Sequence, residues 1–208
     1  MPRRPDPDLE DRILNAAQKL WKKGAEKALT MRAVAKAART NTPAVYRRFK
    51  NREDILRALL QRIRQQVVDL LEASPSPEEA CERYLEFALT HAHEYELFYH
   101  EYELFFSAQS ASRNPQSKTR STTLTKARPA HNLKRPGFEA FKNKLAGKLG
   151  GTPNEHTRLA LALWGLAHGT AMLLIGGTIL PEYGAEARSA YKTAVTVLIR
   201  QASTLAGT

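Results

Sequence analysis

TMRAVAKAARTNTPAVYRRFKNRED, from Thr30 to Asp54, decides how this chain folds. It reads as two short helices around a tight turn. The first is expected from about Met31 to Ala38, with Thr30 as its cap. The second is expected from about Thr42 to Phe49, opening on Asn41, whose side chain can accept from an early backbone N–H. Pro43 in the first turn costs no helical hydrogen bond. Met31, Val34, Ala35 and Ala38 line one face of the first helix, and Val45 and Phe49 line one face of the second. Thr42, Ala44, Tyr46, Arg47 and Arg48 are then left largely outside the core. A short helix with a tyrosine and two adjacent arginines, braced by another, is the recognition element of a helix-turn-helix.

The residues Leu29-Thr30-Met31-Arg32-Ala33-Val34-Ala35, then Val45-Tyr46-Arg47-Arg48-Phe49, then Asn51-Arg52-Glu53-Asp54-Ile55-Leu56 carry a resemblance. In this register they resemble the DNA-binding segment of the TetR family of bacterial transcriptional repressors, which has an LT-x-R-x-[IV]-A core, a turn and a short helix ending in Y-x-x-F. The resemblance implies that Thr30, Arg32, Thr42, Pro43, Ala44, Tyr46, Arg47, Arg48, Lys50 and Arg52 form the DNA-binding surface. One departure stands in the turn, where the family's usual glycine is Arg39. A non-glycine residue in a left-handed conformation costs about 1 kcal/mol, which leaves rearrangement of the turn open. Thr40 follows where an apolar residue is usual.

Charge agrees with a nucleic-acid partner. Of the net +11, residues 1–74 hold 17 Lys/Arg against 9 Asp/Glu, and the rest hold 15 against 12. Basic charge therefore concentrates around the reading head, as phosphate binding requires. The 208 residues suffice for one large or two small domains. The single cysteine, Cys81, excludes an internal disulfide and suits a reducing cytoplasm. MPRRPDPDLE has no apolar run, so it does not read as a signal peptide. Arg3 and Arg4 form a short basic arm there.

Asp8 and Asp11 are spaced as a cap and third-position acid for a first helix, expected to end near Lys23-Gly24. Asn51 caps a longer helix to about Glu72, with Ile55, Leu56, Leu59, Ile63, Val67 and Leu70 on its inner side. Because this helix belongs to both halves, it is the expected lever. The expected architecture is all-α: a three-helix helix-turn-helix domain over residues 1–51, then a helical effector-binding and dimerisation domain over 52–208, with the helix 52–72 connecting them.

Ser76 and Glu79 are spaced as a capping box for a helix running to about Ala108, with a break expected near His91–Glu94. Its second half carries Tyr95, Phe98, Tyr99, Tyr102, Phe105 and Phe106. Core packing explains most of these. Aromatics with polar tips also suit a cavity, so Tyr95, Phe98, Tyr99, Tyr102 and Phe106, with Trp164 and His168, are the expected ligand-binding residues. His93, Glu96, His100 and Glu103 share a face, but without converging ligands they read as a solvated polar face rather than a metal site. Ser107–Pro136 has no acidic residue, seven Lys/Arg and no hydrophobic period, and reads as a long loop. Helix is expected again over Gly137–Leu149, stopped by Gly150-Gly151, and Thr152 with Glu155 is spaced as another capping box.

Leu159–Leu180 carries no charged residue with His168 neutral, and is long enough to span a bilayer. A membrane-associated helical protein is therefore the alternative reading. Gly165, Gly169, Gly176-Gly177 and the absence of close basic flanks favour a buried or interface helix instead, with no membrane partner. The stretch Trp164–Gly169, WGLAHG, resembles the WHG-type C-terminal domains of the same family, whose penultimate helix is part core and part dimer contact. In the last helix, Ala187, Tyr191, Ala194, Leu198 and Gln201 fall on one stripe, so a homodimer through the last two helices is expected. No nucleophile motif, phosphate loop or metal spacing supports an enzyme, and no cofactor is expected. The resemblance implies a double-stranded DNA operator, repression, and a small apolar or amphipathic effector.

Overall fold

The structure is a computed structural model describing residues 6–97 and 136–206. Among these residues every regular element is helical: α1 (Leu9–Ala28), α2 (Met31–Ala37), α3 (Thr42–Tyr46), α4 (Arg52–Ala73), α5 (Pro77–Thr90), α6 (92–97), α7 (Pro136–Leu149), α8 (Thr157–Ile175), a 3-10 turn at Pro181–Tyr183, and α9 (Gly184–Ala206).

Leu9, Ile13, Ala17 and Trp21 form the buried stripe of α1. This helix does not stop at Gly24 but continues to Ala28. One interior glycine costs about 1 kcal/mol, too little to end a helix that resumes with Ala25, Glu26, Lys27 and Ala28. The Thr30 hydroxyl accepts from the Ala33 N–H at 3.1 Å and the Asn41 amide oxygen accepts from Ala44 N–H at 2.8 Å, so both caps form as expected. The short helices α2 and α3 start where the side-chain punctuation places them.

The turn between them keeps its left-handed shape despite lacking glycine, so rearrangement is excluded. Arg39 sits at φ 54°. Its N–H donates to the Lys36 carbonyl at 3.2 Å, and the Thr40 N–H reaches back to Ala35 at 2.9 Å. This is the paired Schellman pattern, with arginine bearing the strain. Arg39→Gly is expected to raise unfolding free energy by a few tenths to about 1 kcal/mol, strain relief offset by a freer unfolded chain. Urea denaturation reads the sign; a less stable variant would contradict it.

Asn51 caps α4, accepting from Asp54 N–H at 2.9 Å. Ile55, Leu59 and Ile63 are fully enclosed, and α4 packs on α1 at one end and on α5 and α7 at the other. Helix α5 lies against α4, α8 and α9, with Ser76 accepting from Glu79 N–H at 3.2 Å. It breaks at His91, inside the expected interval. Residues 98–108 of the expected helix and nearly all of the expected loop Ser107–Pro136 lie outside the described residues.

Gly150 and Gly151, at φ 79° and 71°, end α7. The Thr152/Glu155 pair does not open α8. The Glu155 carboxylate accepts from Thr152 N–H at 3.2 Å, closing one isolated turn, and α8 begins at Thr157. Ala160, Leu163, Ala167 and Ala171 face the core. Among the described residues the opposite stripe of α8 is uncovered: Leu161, Ala162, Gly165, Gly169, Met172 and Leu173 are exposed. In length and composition α8 could cross a membrane, yet one side of it is packed inside the helical bundle.

The proposed dimer stripe of α9 needs correction. Tyr191 is 3% exposed, its hydroxyl donating to the Cys81 carbonyl at 2.9 Å within the same subunit. Val195 and Ile199 follow it into the core, and Leu198 packs against that core. The apolar period of α9 mainly records its own subunit's interior. Arg188–Glu86 and Lys192–Glu82, each 3.0 Å, seat α9 on α5. Burial pushes the Cys81 thiol up to about 12, which leaves it a packing residue rather than a reactive one.

Candidate nucleic-acid interface and ligand site

The reading head is built by filling one side of two short helices. Val34, Ala35, Ala38, Val45 and Phe49 are buried together, and α2 packs on both α1 and α3. What remains outward is polar and basic. Tyr46 is 53% exposed, a large phenol held in water. Thr30, Arg32, Pro43, Arg47, Arg48 and Lys50 are exposed, while Thr42 and Arg52 are half-buried. Lys36 and Arg39 add two exposed cations that the sequence reading did not count as contacts. Arginine in the glycine place of the turn was the available signal.

Ala44 is the exception among the expected contacts. It is 4% exposed and lies in the core, because α3 packs so tightly against α2 that two consecutive residues, Ala44 and Val45, both turn inward. Its methyl group sets the seating of α3 and offers nothing to a groove. Arg48 is also partly engaged: its guanidinium donates to the Asp6 carbonyl at 3.2 Å. The Asp6 carboxylate in turn accepts from Arg12 at 2.7 Å, which holds its pKa below the usual carboxylate range. Arg52 lies 3.4 Å from Glu53. The head thus offers guanidinium, ammonium, phenol and hydroxyl donors, suited to phosphate oxygens and base edges.

In the C-terminal bundle, Tyr95 and His168 meet. Tyr95, 1% exposed, has its hydroxyl 3.1 Å from His168 Nδ1, with rings 6.0 Å apart. Tyr84 of α5 stands edge-on to Tyr95 at 5.9 Å, its hydroxyl donating to that of Tyr95 at 3.5 Å. Trp164, one turn before His168, faces Phe138 of α7 at 6.0 Å. Tyr84 and Phe138 therefore join the aromatic group, and sequence spacing gave no sign of either. Phe98, Tyr99, Tyr102 and Phe106 lie outside the described residues. His93, exposed, and Glu96, half-buried, lie 3.7 Å apart, and no cluster of three metal-ligating side chains occurs among the described residues.

Burial lowers the His168 pKa below 6.5, so the folded protein binds fewer protons there than the unfolded chain. Stability is then complete above the unfolded value and falls as pH drops from about 6.5 towards the folded value. His168→Gln is expected to flatten this part of the stability–pH curve. Denaturant midpoints between pH 7.5 and 5 measure it, and an unchanged slope in the variant would contradict it.

Two family patterns cover most of the chain. Residues 13–59 match "Bacterial regulatory proteins, tetR family", and residues 78–198 match "Tetracyclin repressor-like, C-terminal domain". The chain belongs to the TetR family. As a TetR-family member it is a DNA-binding transcriptional regulator and not an enzyme. Solved structures share the TetR fold at low identity. A TetR-like transcriptional regulator from Rhodococcus sp. RHA1 has TM-score 0.54 at 21% identity, covering 99% of this chain and 100% of that one. The transcriptional regulator SCO7222, a TetR from Streptomyces coelicolor, has TM-score 0.60 at 16% identity, covering 94% and 98%. A protein of unknown function from Rhodococcus sp. RHA1 has TM-score 0.61 at 19% identity, covering 97% and 98%. No curated protein matches the chain.

Proposed function

We propose that this regulator is a ligand-responsive repressor in the cytoplasm that binds a near-palindromic operator as a homodimer. The observation that carries the reading is the uncovered apolar stripe of α8, at the opposite end of the chain from the basic head. Leu161 and Leu173 are 49% and 43% exposed there, and among the described residues nothing but α8's own backbone and chain neighbours lies within 4 Å of where a Cβ on Gly165 or Gly169 would stand. Small residues between leucines admit a second helix at close range. A second copy covers this stripe, with α9 alongside, and the pairing presents two heads to successive major grooves. A lipid bilayer is a poorer match, because Ala160, Leu163, Ala167 and Ala171 on the other side of α8 are held inside the bundle.

In this reading residues 1–51 are the DNA-binding domain and 52–208 the effector-binding and dimerisation domain, joined by the helix 52–72. Arg47 and Arg48 supply base or phosphate contacts, with Arg48 first releasing the Asp6 carbonyl. Tyr46 and Thr42 hold phosphates, and Thr30, Arg32, Pro43, Lys50 and Arg52 complete the surface. A small apolar or amphipathic effector lies against Tyr95, Trp164 and His168 and favours a head spacing that no longer fits DNA. Hydrophobic compounds that raise the melting temperature, titrated into the protein–operator complex, test the switch. Release of DNA by at least one of them is expected. If every stabilising compound leaves the complex intact, the effector reading fails.

A further inference from the structure

Asp11, Asn15, Gln18 and Lys22 form a polar stripe along α1 at i, i+4, i+7 and i+11. On a solvated helix face such residues would have no distant partners. Here all four are gripped by elements far along the chain. Arg62 of α4 takes the first two, at 2.5 Å from Asp11 and 2.7 Å from Asn15. Glu94 of α6 takes the last two, at 3.2 Å from Gln18 and 2.9 Å from Lys22. The Glu94 side chain is 2% exposed, so its carboxylate depends on those donors, since burying an unpaired charge is costly. Between them the Trp21 indole N–H, on a residue only 6% exposed, donates to the His93 carbonyl at 2.8 Å. Tyr95, which follows Glu94 in the chain, faces the other way and meets Tyr84 and His168.

We propose that the first turn of α6, residues 93–95, is a two-sided coupling that carries the state of the Tyr95–His168 site into α1, and through α1 to the reading head. This inference rests on the effector reading above and adds a second route beside the α4 lever. Helix α5 ends at Thr90 with His91 as its C-cap, so this turn is not a continuation of α5 and is held by its side-chain contacts to Tyr84 and His168 on one side and to α1 on the other. Rotation that follows Tyr95 pulls the His93 carbonyl and Glu94 against α1. Helix α1 packs on α2, so its movement reaches the head without passing through α4. Trp21, Lys22 and Glu94 act as positioning residues, touching neither DNA nor ligand.

The test needs no effector. Tyr95→Phe deletes one side of the coupling, and Trp21→Phe with Lys22→Ala loosens the other. Hydrogen exchange of the free full-length protein and affinity for a duplex taken from random-site selection are read for Tyr95→Phe in both backgrounds. In the otherwise native protein Tyr95→Phe is expected to change exchange of the amides at 18–22 by about 10-fold or more and duplex affinity by about 5-fold or more. In the loosened background each change shrinks below about 2-fold, as coupled sites require. His168→Gln probes the same side if Tyr95→Phe folds poorly, and Gln18→Ala with Lys22→Ala replaces the loosened background if Trp21→Phe does. Equal changes in both backgrounds, or none in the native one, would overturn the coupling. If no duplex is selected, the DNA-binding reading has failed, and the exchange comparison still decides the coupling by itself.

Discussion

A variant carrying Leu161→Arg and Leu173→Arg is expected to be a folded monomer that has lost high-affinity operator binding. Neither side chain belongs to the buried core of its own subunit, at 49% and 43% exposed, so an arginine at each place can reach water in the monomer and far-UV circular dichroism stays unchanged. In the dimer four leucines are lost from the shared face, at about 1.5 kcal/mol or more each, and charges replace them. That sum raises the dimer dissociation constant by about 10⁴-fold or more. Each monomer then holds one half-site, and cooperation between heads disappears. Light scattering at micromolar concentration reads the mass directly, and a dimer that survives both substitutions would place the interface elsewhere. Leu198→Arg tests something different: Leu198 packs against its own core, so a charge there strains the fold before it reaches any interface.

Arg47→Ala carries the second large effect. Arg47 is exposed on the face of α3 that the core leaves free. Loss of a bidentate base contact is expected to cost about 1–3 kcal/mol and to relax sequence preference at one position of the site. Lys36→Ala is the contrast. As a phosphate contact it should weaken all duplexes evenly and reduce the salt slope by about one unit. Fluorescence anisotropy across a salt series separates the two. Equal and sequence-independent losses for both variants would assign Arg47 to the backbone instead of to a base.

Helix starts were legible because Thr30, Asn41, Asn51 and Ser76 each fix a backbone N–H with a side chain three residues away, a rule that needs no tertiary knowledge. Stops were less so. Gly24 was a plausible terminator, but one interior glycine costs only about 1 kcal/mol, and the helix-forming residues after it carry α1 to Ala28. Thr152 and Glu155 form only half of a box, the Glu155 carboxylate accepting from Thr152 N–H while Glu155 N–H donates to the Thr152 carbonyl, over a single turn. Apolar periodicity showed that α9 has a buried side without saying whose interior receives it, and Tyr191 bonds its own subunit's Cys81 carbonyl. Ala44 escaped because a methyl group suits core and surface equally. The α1 stripe was unreadable in principle: Gln18 and Glu94 lie 76 residues apart, and no local pattern announces such a partner. The reading head was clear because its signature is local, with Tyr46 and Arg47 exposed by the inward turn of Val45 and Phe49.

Random-site selection with the purified full-length protein, followed by sequencing of the retained duplexes, tests the central claim most directly. Enrichment of a near-palindromic site is expected, its half-sites about one helical turn apart or a multiple of it, with preference relaxed at one position of each half-site in the Arg47→Ala variant. Retention of DNA by a folded, dimeric protein with no sequence enriched over the starting pool would contradict the account.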